Sequence, residues 1–271
     1  MSDAKGFNVG GSPVLAKDEA ARNQIAIMNA VSAVAFNNRV DRNWDGQGSI
    51  VANATDVTTD FNNGTLSTKI ANMDFDDYDT GMQIKKTITV NNNSYVAHII
   101  FAHANAFYGY SSYAMVNTPN IGCVVYLEGL TTTWNASNTD GGYTSSNLRT
   151  VVQDIVTALQ SALGNTHMVS HSVLLSNATS GGKSSGWAWA TGSYGEALSC
   201  PQMFGITVSG SYFDVGEAYE QLALFKNIRP NQVFGNVNIW TREVLTASYA
   251  AFLYDYGILD YGGVTAQVHQ R

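Results

Sequence analysis

The segment from Phe234 to Arg271 limits the possible folds more than any other part of the chain. It reads FGNVNIWTREVLTASYAAFLYDYGILDYGGVTAQVHQR, three β-prone runs divided by the turn-formers Asp255-Tyr256-Gly257 and Tyr261-Gly262-Gly263. Val237, Ile239 and Thr241 alternate with Asn236, Asn238 and Trp240, and Tyr249, Ala251 and Leu253 alternate with Ala250, Phe252 and Tyr254. A two-residue period rich in aromatic and β-branched side chains gives a strand two different faces. Because a lone hairpin is marginal in water, such a meander is expected within the central sheet.

The remaining residues predict an α+β fold. Gly141-Gly142 leads into the clearest helix, capped by Ser145 or Ser146 and apolar along Leu148, Val151, Val152, Ile155, Leu159, Ala162 and Leu163. Gly164-Asn165 ends it. Another helix is expected over 212–227, with Val215, Tyr219, Leu222, Phe225 and Lys226 spaced to cover a sheet, and Pro201 suits the first turn of a short helix before it. Residues 84–90 and 95–101 flank Asn91-Asn92-Asn93 as a hairpin, and Cys123 to Leu127 is a short buried strand. Between 41 and 83 a β-hairpin region is expected, because Asp60-Phe61-Asn62-Asn63-Gly64-Thr65 carries an Asn-Gly signal between Thr-rich runs. Asp74, Asp76, Asp77 and Asp79 miss the spacing of a calcium loop and read as a solvated acidic turn.

Trp240-Thr241-Arg242, followed by Phe252-Leu253-Tyr254 and the Gly257 turn, resembles the terminal signature of a C-type-lectin-like domain family without assigned chemistry, found in Gram-positive bacteria and their phages. Gly142-Tyr143-Thr144-Ser145-Ser146-Asn147-Leu148-Arg149, Cys200-Pro201-Gln202-Met203-Phe204-Gly205 and Gln221-Leu222-Ala223-Leu224-Phe225 match that family in the same order. The resemblance implies a C-type-lectin-like domain over 84–271, a long helix against a twisted antiparallel sheet. The family more often has Leu-Arg-Ser after the Trp, and runs on through a Pro-led strand where this chain stops at Arg271. Trp240 and Arg242 are expected to be structural.

Residues 1–40 form the third segment. Gly6 to Val14 is extended, and Lys17-Asp18-Glu19-Ala20-Ala21-Arg22 opens a helix in which Ala21, Ile25, Met28, Ser32 and Ala35 or Phe36 share a face, with Val31 at its flank. A helix this short is not a core, so its stripe packs on the following domain or on copies of itself. An extended piece followed by Asp-x-x-Ala-Arg-x-x-Ile resembles the N-terminal attachment segments of phage fibre and baseplate proteins. That likeness implies a trimerising anchor at Arg22, Ile25, Met28 and Ser32; an ordinary amphipathic first helix is the other reading.

Only 13% of residues are charged and the net charge is −7, so nucleic acid is not an expected partner: phosphate neutralisation needs clustered Lys and Arg. No run of about 18 apolar residues occurs, so membrane insertion is not expected. Met1-Ser2-Asp3-Ala4-Lys5-Gly6 precedes no apolar signal core, which predicts synthesis in a host cytoplasm and exit by lysis or within a particle. Cys123 and Cys200 are expected as two buried free thiols.

Neither enzymatic activity nor a cofactor or metal is expected, because no nucleophile elbow, His-Glu-x-x-His, phosphate loop or zinc-spaced Cys pair occurs. His98 and His103, five apart on a strand, are expected to face opposite sides, and Gly164 argues against a helix that would pair His167 with His171. Gly181-Gly182-Lys183-Ser184 reads as a flexible turn, and the sugar-binding calcium motif of animal C-type lectins is missing. An aromatic surface remains: Trp187, Trp189 and Tyr194 in and beside an extended loop, and Tyr254, Tyr256 and Tyr261 around the last turns. Rings beside Asn and Ser suit a glycan or protein receptor. The expected function is therefore that of a phage virion structural protein, whether head or tail fibre, baseplate tip or decoration protein. At the virion surface it would dock on other virion proteins through its N-terminal segment, form a homotrimer, and present the lectin-like domain to a host surface glycan or protein. The competing class is a bacterial carbohydrate- or peptide-binding module without catalytic activity.

Overall fold

The computed structural model describes residues 8–9, 12–13, 28–106, 118–139, 141–176, 187–205, 221–256 and 258–269. Its organising strand is β4 (Asn93–Ala104), paired antiparallel with β3 (Gln83–Val90) on one edge and β5 (Ile121–Leu127) on the other. The β3–β4 turn is tight, as expected from its asparagines. Asn91 and Asn92 take φ values of 50° and 63°, the left-handed pair that follows strand twist, and Asn93 already pairs with Val90. Ala97, Ile99 and Phe101 enter one core with Phe36, Leu66, Phe75, Ile88 and Leu159. Ile100 and Ala102 enter a second with Ile50, Leu224, Phe225 and Val233. Burial of both faces accounts for the nearly continuous apolar run of β4, which a one-sided strand would not need.

Helix α5 (Asn147–Leu163) follows the expected design: the Ser146 hydroxyl accepts from the Arg149 N–H at 3.1 Å, and Gly164 ends the helix at a φ of 88°. Leu159 lies in the first core, with Val151, Ile155, Ala162 and Leu163 packed against it, while Leu148 belongs to a third core with Trp134, Tyr143, Trp240 and Phe252. The C-terminal meander forms β9 (Ile239–Thr246), β10 (Tyr249–Leu253) and β11 (Leu259–Gly263), in the order β11-β10-β9. Its alternation is real: Ile239 and Leu253 face the second core, Trp240 and Phe252 the third. It is a sheet of its own, however, and not part of the β4 sheet. Among the described residues the remaining strands pair as β1 (Asn8–Val9) with β2 (Ser12–Pro13), β6 (Thr131–Thr133) with β12 (Gln267–His269), and β7 (His171–Ser176) with β8 (Trp187–Ser193). The protein is α+β, with small antiparallel sheets.

Several sequence expectations are corrected. After a first helix, α1 (28–37), the 41–83 region is helical, not a hairpin: α2 (Ile50–Asn53), α3 (Thr58–Asn62) and α4 (Thr65–Ala71). Asn63-Gly64 joins two helices there. Gly64 takes a φ of 81°, and the Asn63 side chain accepts from the Thr65 N–H. The overlooked signal was Val57, Phe61, Leu66 and Ile70, spaced four or five apart and packed on the first core. That core draws on residues on either side of 40/41 and 83/84, so neither boundary separates one core from another. In the 212–227 region, Val215 and Tyr219 lie outside the described residues; Gln221 and Leu222 are not helical, and α7 begins at Ala223 (Ala223–Asn227). The short helix α6 (Cys200–Phe204) does have Pro201 in its first turn and a Ser199/Gln202 capping box. Both cysteines are free, but only Cys200 is buried; Cys123 is exposed. A β-bulge between Phe101 and His103 brings His103 to the side of the sheet that His98 faces. There His103 Nδ1 accepts from the Ala223 N–H, while the His98 ring lies beside Tyr126.

The acidic turn is only partly solvated. Lys69 pairs with Asp74 and Asp77 near the surface, but Asp79 is fully buried. Arg42 grips its carboxylate with two hydrogen bonds of 2.7 and 3.1 Å, and Arg39 approaches at 2.7 Å. Burial alone would push the Asp79 carboxyl up; the bonds from Arg42 and the charge of Arg39 outweigh it and hold the group below the ordinary carboxylate range. With the folded value depressed, this stabilisation is present above about pH 4 and lost as pH falls further. Asp79→Asn is expected to cost about 2–3 kcal/mol in urea unfolding at pH 7. The gap to the unsubstituted protein should close as the pH is taken below the carboxylate range.

His98 ties the β4 sheet to α2. The Gln83 amide donates to the carbonyls of Val51 and Ala54, both at 3.3 Å, so its oxygen must face His98 Nδ1, 2.8 Å away. His98 therefore carries a proton on Nδ1. Burial, and then Lys85, hold the imidazole below its ordinary value. The unfolded chain takes up a proton near pH 6.5, where the folded one does not, so stability declines as pH drops below that point. His98→Asn, which keeps a donor, is expected to flatten the stability profile between pH 7 and 5 in chemical denaturation.

Candidate functional site

Tyr254, Tyr256 and Ile258 cap the connection between β10 and β11. The Tyr254 N–H donates to the Ile258 carbonyl at 2.8 Å, and the Asp255 N–H to Asn238 Oδ1 at 2.9 Å, which closes the turn and ties it to the lead-in of β9. Beneath it, Trp240 meets Phe252 edge-on at 5.5 Å, Phe252 meets Tyr254 at 5.9 Å, and Tyr254 meets Tyr256 at 5.4 Å. Four rings thus lead from the interior to solvent, from Trp240 at 2% exposure to Tyr256 at 72%. The inner end is fixed by the Trp240 indole N–H, which donates to the Thr132 carbonyl at 3.2 Å.

Gly262 makes room for this ladder. A Cβ there would meet Phe252 at 3.2 Å and Trp240 at 3.4 Å. Tyr261-Gly262-Gly263 is therefore strand rather than the expected turn: Gly262 pairs with Ala250, and ring edges fill the space a side chain would take.

Ile258 is 58% exposed and extends the apolar tip beside Tyr256. Asp255 and Asp260 supply the charge in this stretch; the only Lys or Arg between 234 and 268 is Arg242, which is buried. Residues 254–260 therefore offer rings, aliphatic chains and carboxylates, and include no Lys or Arg.

The other sequence-predicted residues are placed as follows. Trp187 and Trp189 have their backbones in β8, opposite Ser176 and Leu174, and so belong to a strand rather than a loop; their side chains lie outside the described residues. Tyr194 is half-buried just beyond that strand. Tyr261 pairs with Ala251 in β11, its side chain likewise outside the described residues. Of the expected oligomerisation residues, Arg22 and Ile25 are outside the described residues, Met28 is exposed, and Ser32 is buried in its own domain. The Ser32 hydroxyl donates to Asp76 and accepts from the Phe75 N–H, both at 2.8 Å, so it holds the helix down and is not free for a second copy.

The residues that carry the family resemblance form scaffold. Trp240 and Arg242 are both buried, as expected. Trp240 pairs with Phe252 and Val244 with Ala250, so residues 241–243 bulge opposite Ala251 alone. The bulge is held by Trp134 Nε1–H donating to the Thr241 carbonyl, the Thr241 hydroxyl donating to the Ala251 carbonyl, and the Arg242 N–H donating to the Leu198 carbonyl. It also carries Glu243 into the interior, where the carboxylate accepts from the Cys200 N–H at 2.9 Å and the Cys200 thiol at 3.2 Å. Burial, and next this carboxylate, push the Cys200 thiol well up, so it stays protonated and unreactive. The sequence reading did not single out Glu243; an Arg-Glu pair inside an apolar strand is its only trace. Tyr143 and Arg149 converge on Glu196: the Tyr143 hydroxyl donates at 2.9 Å and the Arg149 guanidinium at 3.1 Å, which pins α5 to the segment after β8.

Among the described residues no group of three His, Cys, Asp or Glu side chains is placed to hold a metal ion. No described helix is long and apolar enough to cross a membrane. Comparison with family models, characterised proteins and solved structures gave no match.

The ladder predicts opposite outcomes at its two ends. Trp240→Ala should lose about 3–5 kcal/mol in denaturant unfolding. Tyr256→Ala should stay within about 0.5 kcal/mol of the unsubstituted protein, as for a surface residue.

Proposed function

We propose that this chain is a non-catalytic adhesion component of a phage virion, with a C-type-lectin-like domain that meets the host surface through the β10–β11 tip. Fibre, baseplate-tip and decoration roles all belong to this reading, as do docking of the N-terminal segment on other virion proteins and display in three copies. The observation that carries it is the solvent-facing Tyr256 and Ile258 on a turn anchored through a series of contacting rings to buried Trp240. A rigid aromatic platform loses little conformational entropy on binding and offers both an apolar face and a hydroxyl, the combination that saccharide rings require. With Asp255 and Asp260 and no Lys or Arg among residues 254–260, the turn favours an uncharged glycan over an anionic one. One such platform binds weakly, and several copies on one particle convert weak contacts into attachment.

Sedimentation of the fluorescently labelled protein with intact Gram-positive cells and with their purified neutral cell-wall polysaccharide tests the adhesive part. Tyr256→Ala and Ile258→Ser are each expected to lower the bound fraction at least about tenfold while leaving thermal stability unchanged, in the manner of interface hot spots. Binding that survives both substitutions would remove the tip from the reading. Probing purified phage particles with an antibody to the chain tests the virion part; signal only in uninfected bacterial cells would favour the carbohydrate-binding module instead.

A further inference from the structure

The turn between β10 and β11 contains a carboxylate that the fold does not use. Elsewhere in this chain an aspartate in a turn helps to close it: Asp41, Asp45, Asp56 and Asp74 each accept from the N–H two residues on, at 3.0, 2.9, 2.9 and 3.3 Å. Asp255 holds its turn only through its backbone. Its N–H donates to Asn238 Oδ1, and the Tyr254 N–H donates to the Ile258 carbonyl. The Asp255 Oδ1 atom is shielded from solvent and accepts no hydrogen bond. No Lys or Arg occurs between 243 and 270 to neutralise it from the same stretch of chain. A carboxylate oxygen held out of water without a donor is unfavourable, and such an orphan marks a place that is completed from outside the fold. The residue is only half-buried, so one side of the carboxyl group faces solvent. Its Cβ–Cγ torsion is broad and two-fold, which lets either oxygen take the outer position.

We infer that Asp255 is the specificity-determining acceptor of this turn: it receives hydrogen bonds from free hydroxyls of a saccharide ring laid on Tyr256, so glycans with unsubstituted hydroxyls bind and their O-alkylated forms do not. The inference rests on the adhesive reading of the turn given above, and adds to it the class of sugar and the residue that selects it. Tyr256 follows Asp255 directly, is 72% exposed, and is backed by Tyr254 at 5.4 Å, so an apolar plane and an unused acceptor share one turn. A sugar that stacks on a ring through its C–H face keeps its hydroxyls directed sideways, toward an acceptor at the edge of the platform. A hydrogen bond from a hydroxyl to a carboxylate is charge-assisted, and therefore stronger than one to a neutral oxygen. Because one oxygen is already out of water in the free protein, binding strips less water from this group than from a fully hydrated carboxylate. An ammonium group also suits a carboxylate, but aromatic recognition of such a cation uses several ring faces arranged around it. Here Tyr254 is half-buried and meets Tyr256 at 39°, which leaves one open ring: a platform and not a cage.

The test is binding of the labelled full chain to purified neutral cell-wall polysaccharide, native and partially O-methylated, which keeps the sugar rings but blocks their donors. The unsubstituted protein should bind the native polymer at least about tenfold better than the methylated one. Asp255→Ala should bind the native polymer about tenfold more weakly and no longer distinguish the two, with its melting temperature unchanged or raised, since the orphaned oxygen is gone. Asp255→Asn, which keeps the shape and an acceptor but not the charge, should fall between. Tyr256→Ala should lose both polymers. Unchanged discrimination in Asp255→Ala, with binding still lost in Tyr256→Ala, would overturn the inference and leave the adhesive reading standing. Failure of the unsubstituted protein to bind either polymer would overturn both. A melting temperature lowered by several degrees in both Asp255 variants would make the carboxylate a structural group and end the proposal. Binding to intact cells that is lost when their free amines are N-acetylated, with O-methylation of the polysaccharide without effect, would assign the carboxylate to an amine and overturn it as well.

Discussion

Burial of β4 on both faces is the constraint from which the rest of the molecule follows. A strand covered on one side needs one layer of helices, but a strand with Ile99 and Phe101 on one face and Ile100 and Ala102 on the other must be enclosed twice. The first enclosure recruits α5 together with the first helix and the 57–75 segment; the second recruits α2, α7, α8 (Pro230–Phe234) and one face of the C-terminal meander. The polar ties sit where these layers meet. Gln83 and His98 link the sheet to α2, and Asp79 with Arg39 and Arg42 links the sheet's approach to the end of the first helix. Each is a buried group whose partners come from different segments, so each specifies one arrangement of the layers as well as contributing energy.

The sequence made legible what depends on periodicity and on local capping. The α5 helix, its Ser146 cap and its Gly164 stop, the Asn91-Asn92 turn and the two faces of the meander all follow from residues within a few positions of one another. Errors arose where one local pattern has two structural solutions. Asn63-Gly64 supplies a left-handed glycine, which closes a hairpin or joins two helices, and the apolar spacing around it decides for the helices. Tyr261-Gly262-Gly263 carries the same ambiguity, and there the decision comes from Trp240 and Phe252, remote in sequence, which need the space above Gly262. The buried role of Asp79 is likewise non-local, because Arg39 and Arg42 lie far up the chain from it.

For the candidate site, the sequence pointed to the aromatic residues of the last turns but not to the order in which their rings meet. Tyr256 carries the exposed surface, Tyr254 supports it, and Phe252 and Trp240 extend the support into the core. Tyr143, Cys200, Trp240 and Arg242, which gave the likeness to a lectin-like family, are buried, and half-buried Arg149 is tied to Glu196, so these residues serve the architecture. Such residues speak to fold and leave function to the surface, where sequence carries the weakest pattern.

The outward gradient of the aromatic ladder separates two selective pressures. Its inner rings are locked by packing against Gly262 and the Thr132 carbonyl, while the turn at its outer end is closed by backbone bonds at Tyr254 and Ile258 and by the Asn238 amide. None of the bonds closing the turn involves the side chain of residue 256 or 258. Those two positions are therefore free to vary in size, polarity and charge without disturbing the sheet. Single substitutions at this rim can therefore change the chemistry the turn presents to solvent, while the packing beneath it stays as it is.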